Sequence, residues 1–372
     1  MNQHAEYVSP GHPDRLADAI AESIVTAAVR QKPDALVGVE VAVHTDCVFV
    51  DGRIAAGPEP VDVEKIVRNV YRAAGYGGSW NPHPGKIRVT TDLCQETLPA
   101  EESDVRSFSD DQNVVIGYAC GDERTNYLPA AHWISGELGR RLFARLRSDA
   151  DLSATFGPDF KILSSLSGAP GATRVEWDRL ILSVQHIPKL PYERQHRMLL
   201  PVLKHILREL ENRGLQGAAS TFAVDRLVLN GAGEFAIGGP FGDNGLSGKK
   251  LVIDHYGPGV PIGGGALCGK DPHKVDKCGA LRARQLAKKL VRGGVDDARV
   301  VLAWVPGSDA PFLVEASTSQ GNVNLQVPRD ELPPGEWFTI KSIVRDLELQ
   351  QRDWAADMLA GYFCQASAPW ER

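Results

Sequence analysis

The densest chemical signal in the chain is a glycine-rich segment from residue 235 to residue 277. It holds eleven glycines, and glycine lets a backbone approach a ligand closely and adopt positive φ. Five lysines add positive charge, and four aspartates add carboxylate oxygens of the kind that Mg²⁺ takes together with phosphate oxygens: Lys249, Lys250, Lys270, Lys274, Lys277, Asp243, Asp254, Asp271 and Asp276. The segment therefore predicts a site for a polyphosphate with bound magnesium. The alternative is a flexible surface connection whose charges are solvated.

Two common nucleotide motifs are not met. Residues 264–270 fit G-x-x-x-x-G-K, but Asp271 follows, where a P-loop needs Ser or Thr on the magnesium. Pro272 comes next, and a helix is expected to begin near His273, after the loop. No G-x-G-x-x-G follows a strand within a βαβ unit. The sequence therefore argues against a P-loop ATPase and against a dinucleotide-binding fold.

A second cluster lies at Gly11-His12-Pro13-Asp14-Arg15. Pro13 suits the first turn of a helix whose apolar face repeats from Leu16 to Ala27, so the charged side chains gather at its N-terminus. Because helix N-termini attract anions, the cluster predicts a clamp for one end of a phosphate chain. The alternative is that His12 only caps the helix and Asp14 only complements its dipole.

Four further residues are candidates only in combination with these clusters. Glu40 lies in an apolar strand on the opposite face from the neighbouring valines; most such glutamates face water, and a buried one would need a cation partner. Phe235 is more often a core residue, although a ring there could stack on a purine. Lys161 and Asp111 lie outside both clusters and are unremarkable alone.

Composition excludes several classes of protein. With 43% hydrophobic residues, 24% charged residues and a net charge of −6, the 372 residues describe a water-soluble globular chain, and nucleic acid is not expected as the main partner. No apolar run is long enough for a membrane span, and no secretory signal opens the chain, so a cytoplasmic location is expected. The six cysteines form no C-x-x-C pair, which favours reduced thiols and predicts that oxygen atoms hold any metal.

A pattern of alternating strands followed by an amphipathic helix occurs three times: residues 38–54 with 61–74, 174–187 with 192–213, and 299–315 with 338–349. We therefore expect an α+β fold of three similar lobes, each an antiparallel or mixed sheet covered by helices. The expected domains are 1–106, 107–230 and 231–372, interleaved in space. The polar segment 95–110 is expected to be either a surface loop or a mobile lid over a site.

These segments resemble the S-adenosylmethionine synthetase family, also called methionine adenosyltransferases. The resemblance runs through nearly the whole chain and rests on residues 11–20, 110–119, 235–257, 263–277 and the terminal Pro369-Trp370. It implies three similar α+β lobes with pseudo-threefold symmetry. It also implies a homodimer or a dimer of dimers, with each site formed between two subunits.

The resemblance implies roles for individual residues. The catalytic set would be His12, Lys161, Lys249, Lys250 and Lys270. These residues would also bind ATP, together with Asp111, Phe235, Asp243 and Ala266. Methionine would meet Gln95, Asp243 and Lys274. Two Mg²⁺ ions per site would be held by Asp14 and Asp276, and K⁺ by Glu40.

The chain also departs from the family pattern. Glu234 replaces an arginine before Phe235, and Arg15 replaces a lysine, which keeps the charge but not the geometry. Arg53 aligns with a glutamate that receives the methionine ammonium group in the family, and Glu59 in the following loop is the alternative residue for that role. The segment 107–113 and the gating loop around Gln95 match only loosely. The departures therefore concentrate in the amino-acid pocket and the lid.

The implied activity is synthesis of S-adenosylmethionine from ATP and methionine, followed by hydrolysis of triphosphate to diphosphate and phosphate. Two alternatives stay open at this point. One is a related enzyme that uses a methionine analogue, and the other is a non-catalytic relative that binds nucleotide or regulates a true synthetase.

Overall fold

Three four-stranded sheets organise the chain in the computed structural model, which describes residues 2–172, 174–321 and 323–372. The strands are β1 (Asn2–Val8), β2 (Leu36–His44), β3 (Cys47–Ala56), β4 (Arg88–Thr97), β5 (Asn113–Cys120), β6 (Phe156–Ser167), β7 (Glu176–His186), β8 (Leu227–Leu229), β9 (Gly245–Leu246), β10 (Asp297–Trp304), β11 (Leu313–Gln320) and β12 (Val323–Gln326). The helices are α1 (Pro13–Gln31), α2 (Val63–Ala74), α3 (Ala100–Asp104), α4 (Ala130–Ser148), α5 (Ala150–Thr155), α6 (Tyr192–Asn212), α7 (Leu251–Asp254), α8 (Val275–Arg292), α9 (Ile340–Asp346) and α10 (Trp354–Ala360). The predicted α+β class is confirmed.

The three sheets share one strand order, which runs β9-β2-β3-β4, β1-β6-β7-β8 and β5-β10-β11-β12. In each sheet a central antiparallel hairpin packs against one long helix, α1, α4 or α8 respectively. A helix stacked on a sheet face buries the apolar side of both elements, which explains why each unit repeats the same pattern. The three similar lobes that the sequence predicts are therefore present.

Each unit donates its leading strand to the next sheet. Strand β1 precedes α1 but pairs with β6, β5 precedes α4 but pairs with β10, and β9 precedes α8 but pairs with β2. All three pairings are antiparallel. This cyclic exchange gives the fold its pseudo-threefold symmetry, and it interlocks the lobes. The predicted boundaries after residues 106 and 230 stay predictions.

Three local expectations need correction. Helix α2 begins at Val63 and not at residue 61, because Asp62 caps it by accepting the Lys65 N–H at 3.0 Å. The helix expected over 338–349 is shorter, since Thr339 caps α9 and Glu348 adopts a positive φ of 54° just beyond it. The segment 95–110 is not wholly irregular, because it contains the end of β4 and helix α3.

None of the helices in the described residues combines the length and hydrophobicity that crossing a bilayer requires. The central helices are instead buried inside the protein. In α1 the predicted apolar residues Leu16, Ile20 and Ile24 are fully buried. Its other side is buried as well and carries Asp14, Arg15, Asp18 and Glu22, which pair with residues of the C-terminal third.

Candidate active site

The N-terminus of α1 is the first part of the candidate site. His12 is buried and caps the helix, because its Nδ1 accepts the Asp14 N–H at 3.2 Å. Burial, together with the nearby Lys161 charge, lowers the pKa of His12 to about 3. The imidazole is therefore neutral near pH 7, and its proton lies on Nε2 because Nδ1 acts as an acceptor. The capping alternative describes this histidine correctly, and capping leaves Nε2–H as a possible donor to a ligand.

Asp14 joins α1 to the glycine-rich segment. Its Oδ1 accepts the Leu246 N–H at 3.0 Å, and Lys250 Nζ lies 2.5 Å from its Oδ2. Lys249 Nζ lies 3.7 Å from Oδ1. Burial alone would raise the pKa of Asp14, but the hydrogen bonds and the Lys250 charge lower it below its ordinary value. Asp14 is therefore an ionised carboxylate between two lysines, which is more than a complement to the helix dipole.

The glycine-rich segment lies directly against α1. A Cβ at Gly245 would come within 2.2 Å of the Pro13 carbonyl carbon, so only glycine allows this approach of two backbones. Three residues further on, the Gly248 N–H donates to Asp18 Oδ1 at 2.9 Å. The segment is therefore docked on the protein, and the alternative of a flexible surface connection does not describe it.

A second lysine–aspartate pair lies where the segment enters α8. Lys270 Nζ donates to Asp276 Oδ1, and a Cβ at Gly265 would lie 1.7 Å from that same oxygen. The Gly265 backbone therefore passes directly over the pair. Helix α8 begins at Val275, just after the expected position at His273. The same turn carries Lys274, whose Nζ donates to Asp110 Oδ2.

Lys161 extends the cluster from the neighbouring sheet. It lies on β6 opposite Val8 of β1, and it is exposed. Its charge acts on His12 and on the buried Asp159, which accepts the Gly239 N–H at 2.8 Å. Burial raises the pKa of Asp159 to about 6. Sequence reasoning missed Asp159, although its place two residues before Lys161 on the same strand was a signal.

The remaining predicted residues lie around this centre. Phe235 is half-buried, and its N–H donates to His186 Nε2 at 3.1 Å. Asp243 is exposed, and its charge contributes to the raised pKa of Asp159. Ala266 packs on Gly248, since a Cβ at that glycine would lie 2.9 Å from the Ala266 Cβ.

Three predicted residues make contacts outside the lysine cluster. Glu40 is exposed on β2 and accepts the Ser247 hydroxyl at 2.6 Å. Asp111 is exposed and accepts the N–H of the next residue. The Gln95 side-chain oxygen accepts the Val61 N–H at 2.8 Å, before α2.

Three charged residues of the segment 235–277 have structural partners. Lys277 is fully buried and pairs with Glu22 at 2.9 Å, so it cannot supply charge to a ligand. Asp254 pairs with Arg15 at 2.7 Å, and the buried Asp271 pairs with Arg106. Fewer lysines of this segment can therefore meet a ligand than the sequence suggests. The accessible ones are Lys249, Lys250, Lys270 and Lys274.

The segment 95–110 is tied to the protein at several points. Arg53 on β3 holds two carboxylates of this segment, Glu96 at 2.7 Å and Glu102 at 2.8 Å. Glu59, which the sequence suggested as a substitute for the glutamate that Arg53 replaces, is exposed in the loop after β3. The main-chain oxygen of Arg106 lies 3.0 Å from His273 Nδ1, just before Lys274. The segment therefore connects Arg53 to the lysine-bearing turn.

This arrangement is suited to binding a polyphosphate. Lysines from β6 and from the glycine-rich segment, together with the N-terminus of α1, accompany two aspartates, and charge-assisted hydrogen bonds to phosphate are among the strong ones. Within the described residues, no three His, Cys, Asp or Glu side chains are grouped to share a metal ion. The two aspartates instead stand apart, and each is paired with a lysine.

Comparison with known proteins gives a consistent result. Residues 2–95 match the family model for the N-terminal domain of S-adenosylmethionine synthetase, and residues 237–372 match the model for its C-terminal domain. An S-adenosylmethionine synthase of Deinococcus radiodurans is 31% identical over 99% of this chain and 94% of its own length. One from Zymomonas mobilis is 30% identical over 99% of this chain and 95% of its own length.

A solved structure shares the fold. An S-adenosylmethionine synthetase from Campylobacter jejuni, described as unusual, aligns with a TM-score of 0.83 at 23% sequence identity. The alignment covers 100% of this chain and 96% of that one.

Proposed function

The chain belongs to the S-adenosylmethionine synthetase family, and from that premise we propose that it makes S-adenosylmethionine from ATP and L-methionine. The methionine sulfur would attack ribose C5′ of ATP and form a sulfonium, while the C5′–oxygen bond breaks and triphosphate leaves. Water then cleaves triphosphate to diphosphate and phosphate. The observations that carry this proposal are the pairing of Lys250 with Asp14 beside the buried neutral His12 and a second pairing, of Lys270 with Asp276, at the start of α8.

The side chains of this site suit a reaction that needs no general base. A neutral thioether already has the lone pair that attacks, so no group must remove a proton from it. Negative charge develops on the departing triphosphate, and preorganised lysines stabilise that charge as it forms. Neutral His12 adds a hydrogen-bond donor through Nε2. Because its imidazole is already neutral, it does not have to release a proton during the reaction. Lys161, Lys249, Lys250 and Lys270 are the proposed cationic contacts.

The two aspartates fit magnesium. When a triphosphate takes Lys250 and Lys270, Asp14 and Asp276 lose the cations that now neutralise them, and an ionised carboxylate in a partly buried place needs a replacement. Mg²⁺ is held by one or two carboxylates together with substrate phosphates, which agrees with two separate aspartates. When bound, magnesium supplies further positive charge to the phosphate oxygens.

Glu40 is the proposed ligand of K⁺. Its carboxylate is exposed and lies 2.6 Å from the Ser247 hydroxyl, so two oxygen atoms from β2 and the glycine-rich segment meet there. We propose that the ATP site is completed by Phe235, Asp111, Asp243 and Ala266. We propose that the methionine site is formed by Gln95, Asp243 and Lys274.

We also propose a homodimer, alone or paired into a tetramer, with the site between two copies. The outer face beside Asp243 exposes apolar side chains, including Phe49 at 40%, Phe241 at 48% and Leu246 at 46%. A contiguous apolar surface is typical of a protein interface. Light scattering of the purified protein, with a Phe49→Glu variant beside it, tests this part; a monomeric wild-type protein would contradict it.

The decisive experiment is incubation of the protein with ATP, Mg²⁺, K⁺ and methionine, followed by mass spectrometry. We expect the sulfonium product together with diphosphate and phosphate. Absence of both the sulfonium and triphosphate hydrolysis would contradict the proposal and favour a non-catalytic nucleotide-binding relative.

A methionine analogue is the second candidate substrate, and Arg53 is the observation that favours it. Arg53, whose guanidinium is held by two carboxylates of the segment 95–110, is paired with Gly38 of β2, and Lys274, one of the residues proposed to meet the amino acid, lies over Gly38. Initial rates over a panel of thioether amino acids decide between the candidates. A clear preference for methionine would reject the analogue.

A further inference from the structure

The Arg53 ion-pair cluster forms one side of a mixed-charge surface. Its guanidinium faces two carboxylates, Glu96 and Glu102, so the three side chains together carry a net charge of about −1 near neutral pH. The Arg53 hydrogen bond lowers the pKa of Glu102, which keeps that carboxylate ionised. Although a cationic residue lies at this position, the local charge therefore attracts a cation.

The neighbouring strand carries no side chain of its own beside Arg53. Gly38 of β2 is paired with Arg53 of β3, and directly opposite residues in an antiparallel pair point to the same face. A Cβ at Gly38 would lie 3.8 Å from Lys274 Cε, and the backbone of Gly38 also bridges to Lys270. The Lys274 side chain therefore lies over Gly38, on the same face of the sheet as Arg53.

Glu102 has an unsatisfied oxygen. Its Oε1 accepts from Arg53, whereas Oε2 is shielded from water and has no hydrogen-bond partner within the described part of the chain. A shielded carboxylate oxygen without a donor costs free energy, so such an atom calls for a partner. The side chain as a whole is 34% exposed, which leaves it able to turn toward a ligand on this surface.

Two groups of opposite charge thus lie on this face of the sheet. On one side is the anionic cluster with the unsatisfied Glu102 oxygen, and on the other is the ammonium group of Lys274. An α-amino acid is a zwitterion with an ammonium and a carboxylate on one carbon, so it matches this pattern in charge and in order. A ligand without the ammonium group would leave Oε2 of Glu102 without a hydrogen-bond donor.

We infer that Glu102, positioned by Arg53, is the residue that accepts the α-ammonium group of the amino-acid substrate, while Lys274 faces its carboxylate. This inference rests on the proposed function, because it takes the substrate to be an amino acid that binds beside the lysine cluster. It gives Arg53 a positioning role: the arginine orients a carboxylate of α3 toward the ligand. Glu102 is then the specificity-determining residue for the amino group.

The test compares binding of methionine with binding of its deaminated analogue, 4-(methylthio)butanoate, by calorimetry with Mg²⁺ and a nonhydrolysable ATP analogue present. For Glu102→Gln we expect a loss in methionine affinity of about tenfold or more, because a hydrogen bond between two charged groups is replaced by a weaker one. Affinity for the deaminated analogue should stay at the wild-type value. Glu101→Gln, on the same helix and also exposed, is the matched control and should bind both ligands as wild type does.

The outcomes separate this inference from the proposed function. Equal losses for both ligands would indicate a structural role for Glu102 and overturn the inference, as would unchanged methionine binding. If the wild-type protein forms the sulfonium and Glu102→Gln keeps its full preference for methionine, only the inference fails. If methionine binding depends on Glu102 but no sulfonium forms, only the proposed reaction fails. Absence of measurable methionine binding by the wild-type protein overturns the inference, whatever the reaction.

Discussion

The two ends of the candidate site are built in different ways. At the phosphate end, His12 and Asp14 are each 1% exposed, and the backbone of Gly245, from the glycine-rich segment, packs against Pro13 and Asp14. At the amino-acid end, Arg53, Glu96 and Glu102 are each more than 30% exposed and are held by side-chain ion pairs. Exposed ion pairs contribute little to stability, whereas buried packing is costly to disturb. The geometry of the phosphate end therefore depends on buried packing, whereas residues at the amino-acid end can be substituted at little cost in stability.

The comparison is tested most severely at Lys270. Lys270→Ala should lower kcat about a hundredfold or more, since it removes a cation that stabilises charge on the leaving triphosphate. The melting temperature should stay near the wild-type value, because Lys270 is partly exposed and Asp276 can turn toward water. Steady-state kinetics and thermal denaturation measure both quantities.

Two further variants make that test specific. Asp276→Asn should show a similar loss of turnover, because it removes the partner of Lys270 and the proposed magnesium ligand. Lys289→Ala, in the exposed last turn of α8, serves as the control and should retain full activity. Near-normal turnover of Lys270→Ala would contradict the phosphate site.

A smaller perturbation of the same pair is possible at Gly265. Gly265→Ala would place a Cβ 1.7 Å from Asp276 Oδ1 and 3.0 Å from Lys270 Nζ, so the two side chains must move apart. We expect roughly a tenfold loss of triphosphate hydrolysis, which is less than removal of a charged group costs. The clashing atoms are the ends of flexible side chains, so the melting temperature should change little.

Gly259→Ala is the matched control, since a Cβ there meets nothing within 4 Å. Its hydrolysis rate should equal that of the wild-type protein. A Gly265→Ala variant with the same rate as this control would show that the Lys270–Asp276 geometry does not matter for phosphate chemistry.

Local patterns in the sequence predicted the parts of the fold that local physics determines. The start of α1 at Pro13 follows from proline geometry and a capping residue, and the hairpin β2–β3 follows from strict alternation. The exchange of β1, β5 and β9 between sheets was not predictable in this way. Pairing partners such as Ala5 and Ser164 are far apart along the chain, and no periodicity records which distant strand completes a sheet.

The candidate site shows the same division. The glycine–lysine segment was visible because glycines and charges concentrate in one stretch of sequence. The burial of Lys277 was not visible, since its partner Glu22 lies on α1, far away in the sequence, and only the tertiary fold brings the two together. The contact of Arg53 with Glu102 likewise depends on the path of the segment 95–110, which composition alone does not give.

At the amino-acid end, removal of the positioning cation should have a moderate effect. Arg53→Gln should weaken methionine binding severalfold, because Glu102 loses the partner that orients it, while affinity for the ATP analogue stays unchanged. Calorimetry with each ligand measures both. Arg88→Gln, in the same sheet and paired only with Asp46 in the described chain, is the control and should bind as wild type does.

The double variant sharpens this test. If Arg53 acts through Glu102, the losses in Arg53→Gln and Glu102→Gln should not add, and the double variant should resemble Glu102→Gln alone. Additive losses would mean that Arg53 acts on the ligand directly or through Glu96.

The smallest effect is expected on stability, at the boundary between α1 and the glycine-rich segment. Burial raises the pKa of Asp18 to about 7, and Asp254 adds to the rise against the opposing charge of Arg15. Because the folded state holds this proton more tightly than the unfolded state, the carboxyl contributes most to stability below about pH 4. That contribution is lost as the pH rises toward 7.

Asp18→Asn keeps an acceptor for the Gly248 N–H and does not titrate, so it should gain stability relative to wild type between pH 5 and pH 8. We expect a gain on the order of 1 kcal/mol in the free energy of unfolding, measured by urea unfolding at pH 5 and at pH 8. The exposed control Asp225→Asn should show no such change, and a gain of the same size there would remove the special role of Asp18 at this boundary.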